Sequence, residues 1–212
     1  MKPTLKYERA LWSSGKVLVA GVDEVGRGAW AGPIVAGAVL ISSVEFLRLK
    51  RQPWFKQVAD SKLLSPVVRE RIFVAAEREV VWSLGVVNNK VIDKVGIALA
   101  NRQAVHLAVS KLKTKPDYVL VDYVARLGET VANVPARVIV DGDNKVFSIA
   151  LASIIAKVSR DRLMVIYGKK YPGYGFAAHK GYGTPEHQQA LAQLGVSPLH
   201  RRSYRPIQEY LL

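Results

Sequence analysis

The chain contains no cysteine. Disulfides, zinc–thiolate centres and thiol nucleophiles are therefore excluded as sources of stability or chemistry. Acidic residues are scarce beside basic ones, 17 against 31, which leaves a net charge of +14 over 212 residues. A surplus of that size suits a polyanionic partner, nucleic acid ahead of an acidic membrane surface. No apolar run reaches the length of a membrane span without a charged or polar break. The opening MKPTLKYERALW is too mixed for a signal peptide, so a cytoplasmic protein is expected. Internal repeats, low-complexity blocks and linkers are also missing. Half of the residues are hydrophobic, enough for one domain over residues 1–212, with a helical appendage from about residue 185.

What is present reads as strands first and then as strands alternating with helices. KVLVAGVD (Lys16 to Asp23) is a continuous Val-rich run, as in a strand buried on both faces. PIVAGAVLI (Pro33 to Ile41) follows after a short turn as its antiparallel partner. Ser65 and Pro66 open a helix that continues to Val80, with the serine as cap and the proline in the first turn. Val81 to Asn89 is a third strand. Apolar positions from Val91 to Leu112 (Val95, Ala98, Leu99, Val105, Ala108 and Val109 between them) form one helical stripe. Tyr118 to Asp122 and Ala136 to Asp141 are short strands. Ile149, Ala152, Ala156, Leu163 and Ile166 line a long helix ending near Lys170. Tyr171 to Thr184 is a Gly-rich loop, and Thr184-Pro185-Glu186 opens a helix to about Leu194. This order gives a mixed α/β sheet flanked by helices.

Two strands end in acid. If the strands bearing Asp23 and Asp122 are central and parallel, their C-terminal ends lie together, where open α/β sheets bind ligands. Asp143 precedes the long helix, whose N-terminus favours an anion. With Glu24 these acids can converge, and convergent carboxylates repel unless a cation neutralises them. A hard ion bound through oxygen, Mg²⁺ or Mn²⁺, fits best. Taken singly, either aspartate is adequately explained as a strand cap or turn starter. Asp23 and Glu24 cannot both reach one ion from a regular strand, because neighbours point to opposite faces. Either the strand ends at Asp23, or Glu24 acts through its carbonyl or a water.

The glycines after the first strand are not a dinucleotide fingerprint, since Gly32 falls one place late and a β segment follows instead of a helix. They serve a turn, or they let the backbone approach a ligand closely. In the second case Arg27 meets phosphate between Gly26 and Gly28. His106, His179 and His187 show no metal-ligand spacing. Tyr182 is a packing residue of its loop or, flanked by Lys180 and glycines, a platform for a sugar or base.

With VDEVGRG the sequence resembles the bacterial ribonuclease HII family. GVDEVGRGAWAGPIVAGAV, DSKLLS, YVLVD, GDNKVFSIALASIIAKVSRDRLM, YPGYGFAAHKGYGTPEH and HRRSY occur in the family's order and spacing along most of the chain. The resemblance implies an RNase H-like fold, a mixed five-stranded sheet flanked by helices with a C-terminal helical segment. It also implies endonucleolytic cleavage of RNA in RNA–DNA hybrids and at ribonucleotides embedded in duplex DNA, leaving 5′-phosphate and 3′-hydroxyl ends. The family's acids fall on Asp23, Glu24, Asp122 and Asp143, as metal ligands and catalytic groups. Its 2′-hydroxyl-reading segment falls on Gly26, Arg27 and Gly28, and its junction-sensing tyrosine on Tyr182. Lys62 and Lys180 are further candidate substrate contacts. The chain departs from the family at Ala29-Trp30, at Tyr123, at Asp141 and at Gly96, where asparagine is usual.

Residues and resemblance together predict hydrolysis with two Mg²⁺ or Mn²⁺ ions about 3.5–4 Å apart. Asp23 would bridge the ions or anchor both, and the protein is expected to be a monomer. Two other readings share the fold: a non-catalytic nucleic-acid-binding domain, and an RNase H-like nuclease acting on branched DNA.

Overall fold

The computed structural model describes residues 2–124 and 126–211. An N-terminal helix α1 (Lys6–Ser13) leads into strands β1 (Leu18–Val25) and β2 (Ile34–Ser42). Helix α2 (Ser43–Leu49) is capped by Ser42, whose hydroxyl accepts from the Glu45 amide. Helix α3 (Pro66–Ala76) follows Ser65, whose hydroxyl accepts from the Val68 amide, as the sequence predicts. Then come β3 (Val81–Val87), α4 (Asn89–Val95), α5 (Ile97–Ser110), β4 (Tyr118–Asp122), β5 (Thr130–Val131), β6 (Val134–Ile139), α6 (Phe147–Lys170), α7 (Phe176–His179), α8 (Pro185–Leu194) and α9 (Arg205–Gln208). Among the described residues, no helix is long and apolar enough to cross a membrane.

The sheet has six strands in the order β3-β2-β1-β4-β6-β5, one more than expected. The extra strand, β5, is two residues paired antiparallel with β6, too short to show any alternation in sequence. β1 pairs antiparallel with β2 and parallel with β4, and β4 runs parallel to β6. Alternation along β1 then sorts the side chains. Ala20 and Val22 join the core beneath α5, while Val19 packs with Ile149 of α6. Both faces are covered, so β2 is buried along its whole length.

Two expected helices differ in detail. The stripe from Val91 to Leu112 is two helices, because Gly96 breaks it with φ +79° and ψ 156°, a region that side-chain-bearing residues avoid. The apolar phase resets there: Leu99 is exposed while Ala100 and Ala104 are buried. In α6 the first half is buried nearly all round, but Ile166 of the expected stripe is 59% exposed.

Candidate active site

Asp23 and Asp122 occupy the next register step after the Val22–Val121 pair of the parallel β1–β4 ladder. Both fall on the face covered by α6, since Val22 and Val121 belong to the core beneath α5. Asp143 arrives from a short 3-10 turn at Gly142–Asn144. That turn is tied to β4, because the Gly142 amide donates to Asp122 Oδ1 at 2.8 Å. Oxygen atoms of Asp23, Asp122 and Asp143 thereby lie within 4.8 Å of one another.

Glu24 stands apart from this trio. β1 continues through it to Val25, so the strand does not end at Asp23 and Glu24 points to the α5 side, beside Asn101. Its Oε2 is buried without a protein partner, and its amide donates to Asp23 Oδ1 at 2.7 Å. The electrostatics are those of crowded acids. Burial first, then the charges of Glu24, Asp122 and Asp143, push the Asp23 carboxyl well above its usual range. Burial and the Asp122 charge bring Glu24 up to about 7. Asp143 is also raised by burial, against the lowering effect of Lys62, whose Nζ lies 3.1 Å from Asp143 Oδ2. An all-carboxylate set with an orphaned buried oxygen next to it fits hard divalent cations. Asp141, the additional acid of this turn, is exposed with φ +59° and accepts from Asn144 at 2.9 Å.

The Gly-Arg-Gly segment forms the rim. Gly26 has φ +89°, and a Cβ there would meet Arg160 Nε at 2.2 Å, so only glycine fits. Gly28 has nothing within 4 Å of a Cβ position, and Arg27 is exposed. Two fully buried arginines hold this rim. Arg201 donates to the carbonyls of Gly26 (2.7 Å), Arg27 (2.9 Å) and Gly32 (3.0 Å). Arg160 donates to Pro33 (2.9 Å), Ala31 (3.2 Å) and Lys180 (2.9 Å). The rim is thus fastened to the Tyr182 loop, whose ring has Arg160 at 5.4 Å and Lys157 at 5.8 Å from its centroid. The Lys180 ammonium is directed to the Ala177 carbonyl, not towards the acids.

Sequence reasoning missed Arg160 and Arg201. Arg160 falls four residues after Ala156 on the apolar stripe of α6, and a charged residue in such a stripe was the available signal. Nothing comparable marks Arg201, whose three bonds to the rim carbonyls reach about 170 residues back along the chain.

Carboxylates gathered at the ends of parallel strands, under a mixed sheet of this topology, define an RNase H-like, metal-dependent ribonuclease. The family model for Ribonuclease HII matches residues 20–207, and the chain belongs to that family. A ribonuclease HII of Dehalococcoides mccartyi strain BAV1 is 47% identical over 97% of this chain and 93% of its own. One from Chloroflexus aggregans is 44% identical over 100% of this chain and 97% of its own. Among solved structures, ribonuclease H2 of Pyrococcus horikoshii superposes with a TM-score of 0.73 at 28% identity, covering 91% of this chain and 96% of that one. Bst ribonuclease HIII in complex with Mn²⁺ shares the fold, with a TM-score of 0.69 at 17% identity over 92% of this chain and 70% of that one.

Proposed function

We propose that the chain is an endoribonuclease that cuts the RNA strand of RNA–DNA hybrids and single ribonucleotides embedded in duplex DNA, leaving 5′-phosphate and 3′-hydroxyl ends. The observation that carries this reading is the meeting of three carboxylates from β1, β4 and the turn before α6 within 4.8 Å, beside an open glycine rim. Asp23, Asp122 and Asp143 would hold two Mg²⁺ or Mn²⁺ ions. Glu24 adds charge from behind and acts through its carbonyl or a water. When bound, such ions supply an activated water and charge stabilisation for the leaving oxygen.

The remaining work falls to the chain's own residues. Gly28 leaves backbone open to a 2′-hydroxyl, the group by which protein tells RNA from DNA. Arg27 meets phosphate, which positions the duplex without reading its sequence. Tyr182 presents its ring to the sugar or base at the RNA–DNA junction. Lys62 screens the scissile phosphate near Asp143, and Lys180 reaches a flanking phosphate by leaving the Ala177 carbonyl. The protein works as a monomeric single domain (residues 1–212) in the cytoplasm, where its substrate lies.

The test is nicking of a duplex that carries one ribonucleotide, with Mg²⁺, with Mn²⁺ and with EDTA. Cleavage with either ion and none in EDTA is expected. Asp23→Asn should lower the rate by more than about 100-fold, beyond the loss typical of an outer-shell change, while hybrid binding survives. Wild-type rates in that variant would overturn the assignment. Cutting of a branched DNA without ribose would favour a DNA nuclease instead.

A further inference from the structure

Beneath the Tyr182 loop lie three histidines with no part in the chemistry described so far. His187 belongs to the first turn of α8, and His200 to a segment bridged to Ala31 next to the glycine rim. Both are buried. Their nitrogens face each other, His187 Nε2 to His200 Nε2, at 2.9 Å. We infer that His187 and His200 form a one-way hydrogen-bond chain that ends on the Tyr182 carbonyl and positions Tyr182 for the substrate. This rests on the reading that Tyr182 faces the RNA–DNA junction.

The direction of the chain follows from groups that can only donate. The Ser197 amide donates to His200 Nδ1 at 2.9 Å, and the Ser197 hydroxyl lies 2.8 Å from the same atom. That hydroxyl already accepts from the Leu199 amide at 3.2 Å, so its hydrogen is free for His200. Nδ1 of His200 therefore carries no proton, and the neutral ring bears its hydrogen on Nε2. That hydrogen goes to His187 Nε2, which must then be bare. His187 keeps its hydrogen on Nδ1 and donates it to the Tyr182 carbonyl at 2.9 Å.

The third histidine is fixed in the same manner. The Gly181 amide donates to His179 Nδ1 at 3.1 Å, so His179 donates from Nε2 to the Tyr174 carbonyl at 2.7 Å. Its ring stacks on His187 with centroids 4.3 Å apart. Burial keeps all three rings neutral by lowering their pKa values, to about 4 for His187 and for His200. No nitrogen of His187 or His200 is left with a lone pair for a metal, which separates this cluster from a ligand site. The Tyr182 amide is held too, donating to the His179 carbonyl at 3.0 Å. Tyr182 is thus gripped at both backbone polar groups between Gly181 and Gly183, where a free chain would wander.

Two near-isosteric variants test the chain. Asparagine places its amide where the Nδ1 of histidine lies, and glutamine places it where Nε2 lies. His187→Asn keeps a donor for Tyr182 and loses His200, whereas His187→Gln keeps His200 and loses Tyr182. On a duplex with one ribonucleotide, His187→Gln should lower kcat about 10-fold with KM little changed, and His187→Asn should recover most of that loss. In a Tyr182→Ala background, His187→Gln should add nothing. Equal behaviour of the Asn and Gln variants, with Tyr182→Ala impaired, would overturn the chain alone. An unimpaired Tyr182→Ala protein would overturn the junction reading on which it rests. A measurement free of folding effects is the ¹⁵N spectrum of the wild-type imidazoles: His187 as the Nδ1–H tautomer and His200 as Nε2–H are expected. His187 as Nε2–H would refute the direction of the chain.

Discussion

Burial first, and then the charges of Glu24, Asp122 and Asp143, hold the Asp23 carboxyl in the protonated direction. A carboxyl with a raised folded-state pKa binds its proton at pH values where the unfolded chain has released it. Its contribution to stability is therefore complete below about pH 4 and is lost as pH rises through the folded value. Without metal, Asp23→Asn removes that cost. In EDTA at pH 8 the variant should melt above the wild type by about 2–4 °C, the shift that about 1 kcal/mol gives in a chain of this size. Added Mg²⁺ should raise the wild-type melting temperature more than that of the variant, and a variant that melts lower in EDTA would show that the acids do not repel. His187 and His200 have the opposite sign. Their pKa values of about 4 lie below the usual 6.5, so the unfolded chain binds more protons between those limits. The stability they confer is present above pH 6.5 and is lost as pH falls towards 4. Urea titrations should show wild-type stability falling more steeply than that of His200→Asn across this window, by up to about 1.4 kcal/mol per pH unit for the one titration removed.

At the scale of elements, the placing of Asp143 depends on how closely α6 approaches β1. A Cβ on Gly21 would stand 2.2 Å from the Ser148 carbonyl carbon and 2.4 Å from the Ile149 amide nitrogen. Backbone cannot give way as a side chain would, so Gly21→Ala must push α6 outward. The helix carries the acid-bearing turn with it, because the Val146 amide is bonded to the Gly142 carbonyl at 2.8 Å. A loss of about 1–3 kcal/mol by urea unfolding is expected, with weaker Mg²⁺ binding by calorimetry. A wild-type unfolding curve in this variant would show that the close approach is unnecessary. The same elements show what sequence can and cannot reveal. Asp122 was legible as the end of a strand and Asp143 as an acid just before a helix, but Asp23 lies inside β1. It was the family resemblance, added to these local patterns, that joined the three into one site. The Gly96 break was not legible as a break, because apolar residues on both sides still fit one stripe, and the helix resets its phase only through backbone geometry. The histidine chain and the bonds of the two buried arginines were not legible either, although Arg160 stood out as a charge in an apolar stripe. The arginines bond mainly to backbone carbonyls far away along the chain, the histidines to each other and to nearby backbone groups. Neither kind of pairing carries a signature in the sequence.

For the molecule as a whole, the excess of 31 basic over 17 acidic residues and the carboxylate trio pull a nucleic acid in opposite senses. Phosphates are drawn to the surface and repelled by Asp23, Asp122 and Asp143 unless a cation lies between them. Exposed Arg27 and Lys62, which is itself 3.1 Å from Asp143, sit where the two fields meet. Binding of hybrid to the Asp23→Asn protein isolates the attractive part, since cleavage is suppressed and one repelling charge is gone. If three or four phosphates are neutralised, counterion release should weaken affinity by about 40- to 150-fold between 50 and 200 mM salt. The slope should be the same for hybrid and for plain DNA duplex, because it counts phosphates and ignores sugars. The preference for hybrid should instead persist across salt, because a 2′-hydroxyl at the Gly28 notch displaces no counterion. A preference that faded together with affinity would place RNA recognition in the basic surface and remove the glycine rim from that role.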